Sequence, residues 1–211
     1  MRVAAIADIH GNLPALEAVL AEIEGIGVEL VVCCGDVAGP FGDGCVDRLV
    51  ELRDRARFVR GNADGGFDWP LTAEADVDGL GRVLFCHGSP RSNEEILTRV
   101  SPDNRFAAAL AEVEATVVVG GHTHVQFDRR VAGRRVVNAG SVGMPYEGRP
   151  GAFWALIGPD VELRRTDYDV AAAASAIEAT AYPGADDHAG WLREPPDPAE
   201  VSAYFESQVG A

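Results

Sequence analysis

Five short apolar runs in the first 124 residues each close on a knot of Asp, His, Asn or Gly. Residues 3–7 run into Asp8-Ile9-His10-Gly11, and residues 28–34 into Gly35-Asp36. Residues 56–60 run into Gly61-Asn62-Ala63-Asp64, residues 81–86 into His87-Gly88, and residues 115–120 into Gly121-His122-Thr123-His124. Apolar runs of this length, bounded by such residues, are expected to be buried strands. An α/β protein with open sheets gathers its site at the carboxyl ends of its strands. The five knots should therefore meet in one crevice.

The intervening segments have helical spacing. NLPALEAVLAEIE follows a candidate cap at Asn12, CVDRLVELRDR is a second amphipathic stretch, and Ser101-Pro102 has the form of a cap and first helical residue for PDNRFAAALAEVE. After about residue 125 the period changes. VQFDRRVAGRRVVNAG alternates around Ala132-Gly133, and AFWALI and VELRRTDY flank Gly158-Pro159-Asp160, so two hairpins are expected. From Val170 an Ala-rich helix is expected, then a break at Pro195-Pro196 and a last helix after Asp197-Pro198. With no internal repeat and no long linker, residues 1–211 are expected to be one domain, those from about 170 forming a helical C-terminal tail.

Charge narrows the partners. Lys plus Arg is 18 against 33 Asp plus Glu, a net charge of −15. Such a surface repels nucleic-acid polymers and anionic membranes, since binding a polyphosphate needs clustered cations. A small phosphorylated substrate is compatible provided something local reverses the sign, and metal ions would. The start, MRVAAIADIHG, lacks the apolar core and cleavage site of a signal peptide, and no apolar stretch is long enough to span a bilayer. Cys33, Cys34, Cys45 and Cys86 form no CxxC pair. A cytoplasmic protein with free thiols is the expectation.

The knots supply carboxylate, amide and imidazole ligands without thiolate, a set that suits Mn, Fe, Zn, Ni or Co. Asp8, His10, Asp36, Asn62, His87, His122 and His124 are too many ligands for one tetrahedral ion and fit two ions sharing a carboxylate. Four of the five histidines lie in these knots. Any one knot alone is commonly a turn or a helix cap; five in order are not a coincidence of turns.

The ordered set D-x-H, G-D, G-N-x-D, H-G and G-H-x-H over residues 8–124 resembles the calcineurin-like metallophosphoesterase superfamily, and Asn138 to Gly143 resembles a further loop of it. The opening, ADIHGNLPALEAVL, is especially similar to its small bacterial and archaeal phosphodiesterase branch and the related diadenosine-polyphosphate hydrolases. The resemblance implies an α/β fold, a four-layer β-sandwich flanked by helices. It implies Asp8, His10, Asp36 and His124 around one metal, with Asp36 bridging to a second held by Asn62, His87 and His122. It implies hydrolysis of phosphodiesters or nucleotide phosphoanhydrides by a metal-bridging hydroxide, with two divalent ions, manganese first among them. Asp8, His10, Asp36, Asn62, Asp64 and His87 are then the catalytic residues. One departure bears on substrate: many members have His after the Asn of the third motif, a candidate general acid, where this chain has Ala63. Activated leaving groups suffer least from that loss, so diesters and anhydrides are expected over alkyl monoesters.

Outside the motifs, Arg91 is a second substrate-binding candidate beside Asn62. Asn12, Asn138 and Ser141 are candidates for shaping the pocket, while His188 is expected at the surface. Phe153, Trp154 and Leu156 are expected in the core, and Tyr146 either in the core or facing substrate. The tail after Asp186 has two readings, a cover over the site or a surface for a homo-oligomer. The alternatives to a phosphodiesterase are a non-catalytic scaffold of the same fold, similar to the retromer subunit, and a protein phosphatase.

Overall fold

The computed structural model describes residues 1–39, 41–42 and 44–209. In chain order come β1 (Val3–Ile6), α1 (Leu13–Gly25), β2 (Leu30–Cys33), α2 (Gly44–Val50) and β3 (Ala56–Phe58). Then follow β4 (Ala73–Val77), β5 (Gly81–Phe85), α3 (Asp103–Ala109), β6 (Val117–Gly120), β7 (Phe127–Val131) and β8 (Arg134–Asn138). β9 (Ala152–Ile157), β10 (Val161–Thr166), α4 (Val170–Glu178), α5 (Ala185–Arg193) and α6 (Pro198–Ser207) complete the chain.

The strands form two mixed five-stranded sheets, ordered β10-β9-β1-β2-β3 and β4-β5-β6-β8-β7. β1 pairs parallel to β2 from Val3↔Leu30 to Ile6↔Cys33, and β5, β6 and β8 run parallel in the second sheet. Successive side chains of a strand face opposite ways, and β1 and β2 use both faces. Val3, Ala5, Leu30 and Val32 pack against Phe85, Val119 and Val137 between the sheets, while Ala4, Ile6, Val31 and Cys33 pack under Leu16, Val19 and Leu49 of the helices. On the far side, Leu84, Val118 and Val136 pack on Phe106 and Leu110. Helices, sheet, sheet and helix are the four layers. Phe153, Trp154 and Leu156 are buried, and so are all four cysteines, with free thiols. Among the described residues no helix is long and apolar enough to cross a membrane.

Several sequence expectations need correction. β3 is a half-exposed edge strand rather than a buried one. The second helix stops at Val50, and Arg53–Arg55 is a separate 3₁₀ turn. β4 is an addition to the expected elements: it is an edge strand whose AEADV sequence alternates, but with alanine at two of its three apolar positions the hydrophobic signal is weak. The α3 cap is Pro102 and the first helical residue is Asp103. Ser101 does not cap it: its Oγ accepts from the Thr98 N–H at 2.8 Å and donates to Glu206 in α6. The first stretch of the tail is two helices, not one. Gly184, in the left-handed region at φ 93°, breaks it, and Ala173, Ala174 and Ile177 then pack against Ala185, Ala189 and Leu192.

Candidate metal centre

β1, β2, β3, β5 and β6 deliver their knots to one place because the two sheets end together. The turn after β1 lies on the turn after β2: Asp8 N–H donates to Gly35 O at 3.0 Å, and Ile9 and His10 N–H donate to Asp36 O at 2.8 and 3.0 Å. The loop after β8 closes over it, with Val142 and Gly143 N–H on the carbonyls of Ala7 and Asp8, both at 3.0 Å. Asp8, His10, Asp36, His122 and His124 all adopt positive φ, between 50° and 72°. For non-glycine residues that region costs about 1–3 kcal/mol each, and such strain gathers at functional sites. The surrounding hydrogen bonds hold it there.

Two groups of ligand atoms converge. Asp8, His10 and His124 each place one such atom within 4.8 Å of the others, and so do Asp8, Asp36 and His87. Asp8 is common to both groups. Asp36 also faces both, its Oδ2 lying 3.5 Å from His87 Nε2 and 3.9 Å from His10 Nε2. Asn62 joins through Oδ1, 3.0 Å from His87 Nε2. The half-buried His122 ring is centred 4.9 Å from that of His87, outside both tight groups. Its backbone N–H donates to Asp8 Oδ2 at 2.9 Å. Asn62 is exposed, whereas Asp8, His10, Asp36, His87 and His124 are buried.

The donor atoms are oriented for a cation. His87 Nδ1 sits 2.7 Å from Cys34 O, and His124 Nδ1 sits 2.7 Å from Met144 O. Each carbonyl can only accept, so each ring keeps a proton on Nδ1 and turns its Nε2 to the site. His10 Nε2 stands 3.2 Å from His124 Nε2. Asp8 Oδ1 is buried without a hydrogen-bond partner among the described residues, although His124 Nε2 is 3.2 Å away. Converging lone pairs beside an orphaned carboxylate oxygen are what a metal cation satisfies.

Electrostatics agree. Burial, and secondarily the neighbouring His124, pushes His10 down to about 4; burial and His87 do the same to His122. Both imidazoles are neutral, as ligands must be. For His87 burial works downward too, but the Asp36 and Asp8 carboxylates outweigh it and raise the ring to about 9. The burial that would raise the Asp36 carboxyl is outweighed by His87 and His10, which hold it well below the usual range. Without an ion, a proton on His87 is the counter-charge to the two carboxylates, and an ion would displace it.

The remaining candidates differ in role. Asp64 is buried beneath Asp36 and takes four backbone N–H donors: Asp36 and Gly61 at 2.8 Å on Oδ2, Val37 at 2.9 Å and Ala38 at 3.1 Å on Oδ1. Both oxygens are thus occupied by the loops. Ala63, exposed, donates its N–H to Asp36 Oδ1 at 2.7 Å. Arg91 is committed to an ion pair with Glu95 and to Ala108 O, away from the cluster's hydrogen bonds. Asn12 caps α1 through Ala15 N–H and also donates to Gly143 O at 3.0 Å. Ser141 Oγ donates to Asp8 O at 2.7 Å, and Asn138 Nδ2 to Gly121 O at 2.6 Å. His188 is half-buried rather than a surface residue, wedged among Phe41, Tyr182 and Trp191.

Beside the candidate Tyr146, two further rings of an aromatic rim were not legible in the sequence. Tyr146 stacks on His124 at 4.7 Å between centroids and meets Trp191 of α5 edge-on at 6.4 Å, while Phe205 of α6 lies 6.3 Å from His122. Trp191 and Phe205 lie far from the motifs along the chain, and no spacing rule connects them.

Residues 1–157 match the calcineurin-like phosphoesterase superfamily domain. Phosphodiesterase YfcE of Escherichia coli is 31% identical over an alignment covering 74% of this chain and 87% of its own; the solved structure of YfcE superposes with a TM-score of 0.55. A metallophosphoesterase structure from Sphaerobacter thermophilus covers 90% of this chain and 98% of its own, at a TM-score of 0.70 and 24% identity. Vps29 of Entamoeba histolytica, solved with Zn²⁺, covers 80% of this chain and all of its own, at a TM-score of 0.57 and 19% identity.

Proposed function

From the chain's membership of the calcineurin-like phosphoesterase superfamily, as a metal-dependent phosphoric ester hydrolase, we propose that its substrates are phosphodiesters or nucleotide phosphoanhydrides and that it uses two divalent ions. The observation that carries this reading is the pair of ligand groups sharing Asp8, with its Oδ1 orphaned beside the inward-facing imidazole nitrogens. Asp8, His10 and His124 would hold one ion and Asp36, Asn62 and His87 the other, with His122 completing the second and Asp8 and Asp36 facing both. Manganese suits this oxygen and imidazole set, as do Fe, Zn, Ni or Co. Bound there, two ions supply a positive well for phosphate, a water made acidic enough to act as nucleophile at neutral pH, and stabilisation of charge on the phosphoryl oxygens.

The chain's own part is positioning. The Cys34 and Met144 carbonyls fix the rings of His87 and His124, and Asp64 fixes the backbone from which Asp36 projects. Asn62, exposed beside His87, is the residue that meets the entering phosphoryl group. Ala63 offers no proton to a leaving oxygen, which supports diesters and anhydrides over alkyl monoesters. Arg91, held by Glu95, has no part in this reading.

The ligands proposed here all come from one chain, so this reading does not call for a homo-oligomer. The full ligand set favours an enzyme over a scaffold, and a rim of tail aromatics suits a small substrate better than a folded phosphoprotein. The strong negative charge opposes nucleic-acid polymers, and buried free thiols fit the cytoplasm. We treat residues 1–211 as one domain, because tail residues pack against loops of the site. The test is hydrolysis of an aryl phosphodiester and the matching monoester by metal-stripped protein titrated with manganese, beside Asp36→Ala. Manganese-dependent turnover that prefers the diester and vanishes in the variant is expected. A folded protein inert with every divalent ion would point to a scaffold.

A further inference from the structure

The superfamily match ends at residue 157, and two of the three rings of the rim lie beyond it: Phe205, beside His122, and Trp191, which reaches His124 through Tyr146. We infer that Trp191 of α5 and Phe205 of α6, with Tyr146 between strand and tail, form a stacking subsite for a planar base carried by the phosphoryl group. This rests on the phosphoesterase reading of the same site and deepens it: the preferred substrates are nucleotides.

The tail has anchors besides the rings. α5 is packed through Ala185, Ala189 and Leu192, a stripe buried to within 7%, whereas Trp191 is 39% exposed. α6 is fastened by Glu206, which accepts from the hydroxyls of Thr98 and Ser101 and pairs with Arg105 at 2.6 Å. Between them Gly148 N–H donates to Pro196 O at 2.9 Å, tying the connecting segment to the body. Phe205 is therefore set next to His122 by its neighbour's anchor, and Tyr204 beside it is 62% exposed. Trp191 thus keeps aromatic surface open to water one ring away from His124, where a planar group can stack.

The path is continuous. Tyr146 stacks on His124 and meets Trp191 edge-on, while the tilted ring of Phe205 flanks His122, the other His of the G-H-x-H motif. A phosphoryl group at the metal centre would leave the rest of its molecule facing these rings. Base-on-aromatic stacking tolerates any base, since each has a π-face. It also needs no cation from the protein, which suits a chain of net charge −15.

The test is binding to manganese-loaded full-length protein, read by calorimetry, of AMP against ribose 5-phosphate, which has the same phosphate and no base. AMP should bind about ten-fold more tightly or better. Trp191→Ala and Phe205→Leu should erase most of that ratio, and Trp191→Phe should restore much of it. Ligands that bind alike, no AMP binding, or variants that weaken both equally would each overturn the subsite. Turnover with no base preference overturns the subsite alone. A base preference without turnover of any phosphoester overturns the hydrolytic reading and leaves the subsite standing.

Discussion

Asp64 holds Asp36 in place through the backbone: its Oδ2 accepts the Asp36 N–H at 2.8 Å, while the Asp36 side chain faces the ligand cluster. The same carboxylate accepts from Val37, Ala38 and Gly61, so it ties the turns after β2 and β3 together. A ligand residue at positive φ is thereby kept from relaxing.

Asp64→Asn keeps the shape but loses the charge and turns one acceptor into a donor facing N–H groups. Charge-assisted hydrogen bonds contribute about 1.5–3 kcal/mol each, and a buried mismatch adds to the loss. The variant should be destabilised by about 3 kcal/mol in urea unfolding and should bind manganese more weakly. Unchanged stability would remove Asp64 from this role.

Asp8 is shared by both ligand groups. A metal that binds only the folded chain raises its stability by about 2.7 kcal/mol at 100-fold excess over Kd. For a chain of this size that corresponds to a rise in Tm of about 5–10 °C. Wild-type protein should show this rise on adding manganese and lose it with EDTA, while Asp8→Asn should show little of either. Differential scanning fluorimetry reads both.

Gly121 is where the chain passes Asp8. A Cβ built there falls 2.5 Å from Asp8 Oδ2 and 2.5 Å from the Ala7 Cβ. Gly121→Ala must therefore displace Asp8 or the G-H-x-H turn. Metal affinity should fall by about ten-fold or more, since disturbed ligand support commonly costs 10–100-fold. Isothermal titration with manganese checks it, and wild-type affinity would show that the turn gives way freely.

Glu206 makes tail docking sensitive to acid. Burial acts to raise its carboxyl, but Ser101, Thr98 and Arg105 outweigh it and lower the folded-state pKa below 4.5. A group lowered on folding stabilises fully above its unfolded value and loses that contribution as pH falls through the folded one. Amide protection factors in α6 should be level near about pH 6 and fall below about pH 4, by a clamp worth on the order of 1 kcal/mol. In Glu206→Gln they should be low at both pH values and nearly flat. An acid-insensitive wild-type α6 would contradict the clamp.

Much of the fold was legible because burial leaves a local trace. β1, β2 and β6 are continuous apolar runs, as strands covered on both faces must be, β5 becomes one from Val83, and the two hairpins announce their turns at Ala132-Gly133 and Gly158-Pro159-Asp160. β4 was illegible because an edge strand with Glu74 and Asp76 facing outward need not be apolar. The break before α5 was missed because Pro183-Gly184 lies within a stretch otherwise rich in alanine.

The ligand residues and their order were fixed locally, since each needs only a strand to end where it does. How they face one another was decided by the tertiary structure alone. The sharing of Asp8, the inward Nε2 atoms set by the Cys34 and Met144 carbonyls, and the strained positive φ of five site residues all depend on loops closing across two sheets. The rim of Tyr146, Trp191 and Phe205 is more distant still. Those rings are brought together by helix packing and the Glu206 clamp, interactions between residues up to about a hundred positions apart that leave no periodic signal in the chain.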